Sequence, residues 1–220
     1  MIAALVPLKA LGGVKERMAA ILDPQERQRL ALAMLTDVLT ALLGAASIAY
    51  LAVVSPDPAV LSHAERLGAH PIPEPPQAMG LNAALGHAAS ILSGRGATAL
   101  LVMPADVPTL SPALVEEIVQ SLPRPRGMAI VPAADGGTNA LALTPPDAVP
   151  FRFGPRSFTA HRREAVARNV PTAVLRLEPL AYDVDEPQDL LRVLQTDGAL
   201  HTKEVVISLG LMSRLGHEGG

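Results

Sequence analysis

Asp106 closes an apolar run. Ala99-Leu100-Leu101-Val102-Met103 carries no polar residue, and in Pro104-Ala105-Asp106-Val107-Pro108 one carboxylate then stands between two prolines. The prolines restrict the backbone around Asp106 and stop any strand that ends there. A carboxylate held in this way could ligate a metal, or it could simply cap a turn. Asp183 and Asp185 supply two more acidic groups, and on an extended segment residues two apart point the same way. With Asp106 they form a set suited to Mg²⁺, which takes a few carboxylates together with substrate phosphates and water. The alternative for Asp183 and Asp185 is capping of the helix that starts near Pro187. A third group is cationic. In Leu8–Met18, Gly12 and Gly13 lie among Lys9, Lys15 and Arg17. Glycines admit close backbone N–H groups and the cations neutralise oxygens, which suits a triphosphate. The stretch fits neither G-x-x-x-x-G-K-[ST] nor G-x-G-x-x-G, and a flexible basic surface loop explains it equally well.

These residues need elements to bring them together. Ile2–Pro7, Tyr50–Val54, His70–Pro73, the run at Ala99, Met128–Pro132, a stretch opening at Thr138, and Thr172–Leu177 read as strands. Between them lie helical patterns. Asp23-Pro24-Gln25-Glu26 is a helix start, and Leu30, Met34, Leu35, Val38 and Leu42 follow at helical spacing. Helices are also expected from about Ala59 to Leu67, from Asn82 to Leu92, from Ser111 to about Leu122, around His161 and Glu164, and after the Ala181–Leu190 segment, ending near Leu194. Asp135-Gly136-Gly137 opens into a strand that could pair as a hairpin. The alternation predicts an α/β three-layer sandwich with a Rossmann-like, mostly parallel mixed sheet. Open sheets of this kind bind ligands at the carboxyl edge of their strands, where Asp106 lies.

Composition narrows the function. The chain has 220 residues, of which 49% are hydrophobic, enough for one core and one domain. A net charge of −3 and 2% aromatic content argue against nucleic acid. The absence of cysteine excludes disulfides, thiolate zinc sites and a cysteine nucleophile. Ala41–Val54 is too short and too interrupted to cross a bilayer, and Pro7 and Lys9 break any signal-peptide core, so a cytoplasmic protein is expected. No G-x-S-x-G is present, and the six histidines show no H-x-x-x-H or triad-like arrangement, so they read as structural or surface groups.

Taken in order, several blocks resemble the 2-phospho-L-lactate and phosphoenolpyruvate guanylyltransferases of coenzyme F420 biosynthesis. That family is nucleotidyltransferase-like, of the molybdenum-cofactor guanylyltransferase and nucleotide-diphospho-sugar transferase type. The blocks are Val6-Pro7-Leu8-Lys9 with Lys15 and Arg17, Gly80-Leu81-Asn82-Ala83-Ala84, Pro104–Pro108, Asp135–Leu141, Phe151-Arg152-Phe153-Gly154-Pro155-Arg156-Ser157-Phe158 with His161, and Asp183–Pro187. The resemblance covers about Ile2 to Leu194 and implies transfer of a guanylyl group from GTP to a three-carbon phospho-acid, with pyrophosphate released. It implies that Asp106, Asp183 and Asp185 hold Mg²⁺ and that Lys9, Lys15 and Arg17 meet the triphosphate. Gly80 and Asn82 would meet the nucleoside, and Thr138, Gly154 and Ser157, with Arg152 beside them, the phospho-acid. Glu16 stands where the family usually has serine, and it is expected to face solvent.

Rival readings are a nucleotidyltransferase with another acceptor (3-phosphoglycerate, a sugar phosphate or molybdopterin), a glycosyltransferase, and a non-catalytic nucleotide-binding protein. Residues 1–198 read as the single nucleotidyltransferase domain. Residues 199–220 read as a C-terminal extension, with an edge strand or partner contact at Val205–Leu209 and a frayed tail from Leu211. A homodimer is left open.

Overall fold

The central strands are apolar on both sides, and the chain lays helices over both. The computed structural model describes residues 1–76 and 80–215. The strands are β1 (Ile2–Pro7), β2 (Tyr50–Ser55), β3 (His70–Pro73), β4 (Ala99–Val102), β5 (Gly127–Pro132), β6 (Thr138–Thr144) and β7 (Thr172–Val174). The helices are α1 (Pro24–Leu43), α2 (Pro58–Arg66), α3 (Leu81–Gly94), α4 (Pro112–Gln120), α5 (Ser157–Ala167), α6 (Asp189–Gln195), α7 (Leu200–Ser208) and α8 (Leu211–Leu215). The strands form one seven-stranded sheet in the order β3-β2-β1-β4-β6-β5-β7. β6 runs antiparallel to both β4 and β5, and the remaining pairs are parallel. This is the mixed α/β sandwich expected from the alternation, including the hairpin between β5 and β6.

Side-chain alternation divides the core in two. Ala4, Val6, Leu51, Val53, Leu101 and Val131 face one way and pack under α1, α2, α4 and the C-terminal helices. Ala3, Leu5, Val54, Leu100, Val102 and Ile130 face the other way, toward α3 and α5. Local signals set the helix starts. At α1, Asp23 Oδ1 accepts from Glu26 N at 2.8 Å and Glu26 Oε2 accepts from Asp23 N at 2.9 Å, a reciprocal cap worth about 0.5–2 kcal/mol. Ser111 Oγ likewise accepts from Leu114 N at the start of α4.

The topology creates the site. β1 lies between β2 and β4, so the chain leaves β1 toward one side of the sheet and later returns to the other. The loops after β1 and β4 therefore border the same crevice, at a topological switch point.

The C-terminal region differs from its expectation. Val205–Leu209 is no edge strand, because Val205 to Ser208 belong to α7, which packs on α1. Asp37, buried on α1, is the physical reason. Its carboxylate accepts from His201 N at 3.0 Å, from Thr202 N at 2.8 Å and from Thr202 Oγ1 at 2.6 Å. An anion at the N-terminus of a helix satisfies amides that have no partner within the helix. Val206 and Leu211 are buried in the same core as α1, so the stretch is docked as far as α8. Residues 77–79 lie outside the described residues, as do residues 216–220 of the expected tail. Among the described residues no helix is long and apolar enough to cross a membrane.

Candidate active site

The carboxylates converge. Asp106, Asp183 and Asp185 each offer an oxygen within 4.8 Å of the others. Asp106 leaves the end of β4, and Val184 N donates to the Asp106 carbonyl at 2.9 Å, so one backbone bond pins Asp183 and Asp185 beside it. The capping alternative for Asp183 and Asp185 is not what occurs. Asp189 Oδ2 accepts from Asp185 N at 3.1 Å and from Glu186 N at 2.8 Å, leaving the earlier carboxylates free to face the crevice.

Lys15 enters this cluster. Its Nζ lies 2.7 Å from Asp106 Oδ2 and 2.7 Å from Asp185 Oδ1, and its side chain is only 7% exposed. The backbone at Lys15 is left-handed (φ 51°, ψ 44°), a conformation that disfavours side chains by about 1–2 kcal/mol. Arg27 on α1 braces the turn by donating to the Val14 carbonyl at 3.2 Å and the Leu22 carbonyl at 3.0 Å. Asp57, the N-cap of α2, accepts from Leu11 N at 2.9 Å and ties the start of the loop to the turn after β2. Nothing in the local sequence marks Arg27 or Asp57 for these tasks.

Electrostatics follow from this packing. Burial pulls the Lys15 ammonium toward neutrality, but the charges of Asp106 and Asp185 outweigh it and raise its pKa. For Asp183, burial and then the Asp106 charge raise the carboxyl. Burial also acts to raise Asp185, yet the nearby Lys15 charge and hydrogen bond prevail and lower it. Hard oxygen donors so arranged match the donor chemistry of Mg²⁺.

A cavity of about 430 Å³ opens over the cluster and is lined by Lys9, Lys15, Asp106, Gly154, Asp183 and Asp185, among others. Arg17 lies outside it, at the rim. It is 69% exposed, with Nη1 at 3.8 Å from Asp185 and 3.7 Å from Glu186. Glu16 is exposed, as expected.

The remaining predicted residues take supporting positions. Asn82 does not offer its amide to the cavity: Nδ2 donates to the Phe153 carbonyl at 3.0 Å, and Oδ1 accepts from Phe153 N at 2.8 Å. This clamp holds the residue before Gly154. Gly80 precedes α3 at φ 88°, and Gly154 has φ 126°, both in the region that favours glycine. The Arg152 guanidinium turns away to Glu164, with Nε 2.8 Å from Oε1, and lines a separate cavity of about 870 Å³ between α3 and the segment after β6. That larger cavity contains none of the clustered carboxylates. Thr138 and Ser157 are buried behind Gly154, with Ser157 Oγ donating to Thr138 Oγ1 at 2.9 Å. Asn139 was not singled out by the sequence. Its Nδ2 donates to the Leu180 carbonyl at 3.0 Å and ties β6 to the approach to Asp183.

Comparison with known proteins identifies the family. A family described as "Guanylyl transferase CofC like" matches residues 2–218. The chain is 43% identical over 188 residues to the phosphoenolpyruvate guanylyltransferase of Sphaerobacter thermophilus, covering 85% of this chain and 89% of that protein. It is 43% identical over 196 residues to the phosphoenolpyruvate guanylyltransferase of Rubrobacter xylanophilus, covering 89% and 94%. It is 30% identical over 208 residues to the 2-phospho-L-lactate guanylyltransferase of Methanocaldococcus vulcanius, covering 94% and 90%. Among solved structures, a Desulfovibrio desulfuricans G20 protein described as of the nucleotide-diphospho-sugar transferase type superposes with a TM-score of 0.74. Its identity is 20%, over 94% of this chain and 96% of that one, and it shows the shared fold. This chain belongs to the CofC-like guanylyltransferase family and is a nucleotidyltransferase.

Proposed function

We propose that this enzyme joins the guanylyl group of GTP to a three-carbon phospho-acid, phosphoenolpyruvate or 2-phospho-L-lactate, as a step of coenzyme F420 biosynthesis. The observation that carries the reading is the meeting of Asp106, Asp183 and Asp185 with Lys9 and Lys15 in one cavity beside Gly154. A phosphate oxygen of the acid attacks the α-phosphorus of GTP. The bond from that phosphorus to the β-phosphate bridging oxygen breaks, and pyrophosphate leaves with the electron pair. The attacking phosphate is already ionised at neutral pH, so no general base is required. That accords with a crevice whose charged lining, among the described residues, is Lys9, Lys15, Asp106, Asp183 and Asp185.

Both reactants are anions, so catalysis rests on positioning and charge neutralisation. Asp106, Asp183 and Asp185 are the residues that would hold Mg²⁺, which when bound neutralises charge on the reacting phosphates. Lys9 and Lys15 line the cavity and Arg17 guards its rim, where each can offset triphosphate oxygens. Gly154, with Thr138 and Ser157 behind it, forms the acid side. Asn82 contributes through its clamp on Phe153. A cytoplasmic setting, with GTP at hand, fits this reading.

The test is pyrophosphate release over a panel of nucleotides and acids with Mg²⁺. Release with GTP and phosphoenolpyruvate or 2-phospho-L-lactate is expected. A response only to a sugar phosphate would move the acceptor assignment, and silence with every acid would sink the reading.

A further inference from the structure

His161 takes no part in the chemistry just described, yet it lies at the centre of the acid side. It projects from α5 and is fully buried. Its Nε2 accepts from Arg152 N at 2.9 Å, and its Nδ1 lies 3.3 Å from Thr138 Oγ1. The Phe153 ring meets the imidazole edge-on, with centroids 5.0 Å apart.

The hydrogen bonds determine where the protons are. A backbone N–H can only donate, so the Nε2 facing Arg152 N carries no hydrogen. A neutral imidazole then carries its hydrogen on Nδ1, facing Thr138. Thr138 Oγ1 thus receives two hydrogens, one from His161 Nδ1 and one from Ser157 Oγ. A hydroxyl has two acceptor sites and one hydrogen. With both acceptor sites taken, Thr138 has only its own hydrogen to offer. Burial is the leading cause that holds the imidazole neutral, with the Arg152 charge adding to it, so its pKa falls to about 4.

We propose that His161 is a positioning residue for the acid: its Nδ1-protonated ring makes Thr138 a hydrogen-bond donor, and its Nε2 anchors the Arg152–Gly154 turn. A donor is what an anionic phospho-acid needs, and a hydroxyl free to rotate could present a lone pair instead. The same ring joins β6, which carries Thr138, to the turn that carries Gly154. This proposal rests on the assignment of Thr138, Gly154 and Ser157 to the acid.

Two variants separate the arms. His161→Gln can place an oxygen near the Nε2 position and keep the Arg152 contact while losing the Nδ1 donor. His161→Asn can place an amide N–H near the Nδ1 position and lose the Arg152 acceptor. Loss of one hydrogen bond to an anion predicts about a tenfold higher KM for phosphoenolpyruvate in His161→Gln, with the KM for GTP within about twofold. His161→Asn is expected to recover most of the acid KM while melting at a lower temperature. Equal shifts in both KM values, or a melting change with no KM change in either variant, would overturn the proposal. Nitrogen-15 NMR of the histidine rings in the wild-type protein tests the proton placement independently of turnover. A neutral ring protonated on Nδ1 at pH 7 is expected, and an Nε2-protonated ring or an imidazolium refutes it. If no phospho-acid supports pyrophosphate release, the acid assignment and the role of His161 in it fall together. An Nδ1-protonated ring with equal KM shifts overturns the His161 proposal alone.

Discussion

Lys15 Nζ lies 2.7 Å from Asp106 Oδ2, and the same ammonium reaches Asp185 at an equal distance. A cation thus sits among carboxylates that also have the donor chemistry for a divalent ion. The lysine expected to serve the triphosphate doubles as counter-charge to the acidic cluster. Its backbone turn, braced by Arg27, fixes it there.

Asp106→Asn should abolish turnover while leaving the fold intact. The amide is nearly isosteric and Asp106 is 29% exposed, so little packing is lost. A fall in kcat of about a thousandfold or more is expected where one group neutralises the reacting phosphates. Steady-state pyrophosphate release with a parallel thermal melt checks this. Near-normal turnover would return Asp106 to the role of a turn residue.

Lys15→Met should destabilise the protein without added metal, since Asp106 and Asp185 lose their shared counter-charge. Removing one partner of a fully buried pair costs about 3–5 kcal/mol, and solvent at Asp106 and Asp185 reduces this to about 1–2 kcal/mol. Added Mg²⁺ should raise the melting temperature of the variant more than that of the wild type. An equal rise in both would mean that ammonium and metal do not share the carboxylates.

Stability should fall in acid through His161. Its pKa is about 4 in the folded chain and about 6.5 when exposed, so between these values the unfolded state binds the extra proton. The contribution is complete above about pH 6.5, declines as pH falls, and is fully lost below about pH 4. Its upper limit is about 3 kcal/mol. Urea unfolding from pH 4 to 7 measures it, and His161→Gln should flatten that part of the profile.

Asp37→Ala should loosen the C-terminal helices without touching the site. The substitution removes acceptors for His201 N, Thr202 N and Thr202 Oγ1, at a cost of about 2–4 kcal/mol. Hydrogen exchange across α7 should accelerate, while both KM values stay within about twofold. A large change in the KM for GTP would show that α7 communicates with the cavity.

The chain order and residue types alone determined a good deal. Apolar runs, proline boundaries and the Asp23–Glu26 cap are local, so the alternation of strands and helices and the three-layer sandwich could be read directly. Asp106, Asp183 and Asp185 were also legible as a set, because a carboxylate beside an apolar strand needs a reason to be there. Only the tertiary structure decided which side chains face the cavity. Asn82 and Arg152 lie in the expected blocks, but the Phe153 backbone takes both amide atoms of Asn82 and Glu164 draws off the Nε of Arg152. The sequence of α7 could not reveal its partner either. Asp37 precedes Thr202 by 165 positions, and the burial that makes their hydrogen bond count exists only once α1 and α7 have packed. His161 is the sharpest case. Its spacing matches no catalytic pattern, and its significance comes from contacts with Thr138 and Arg152, which only the folded chain brings to opposite edges of one ring.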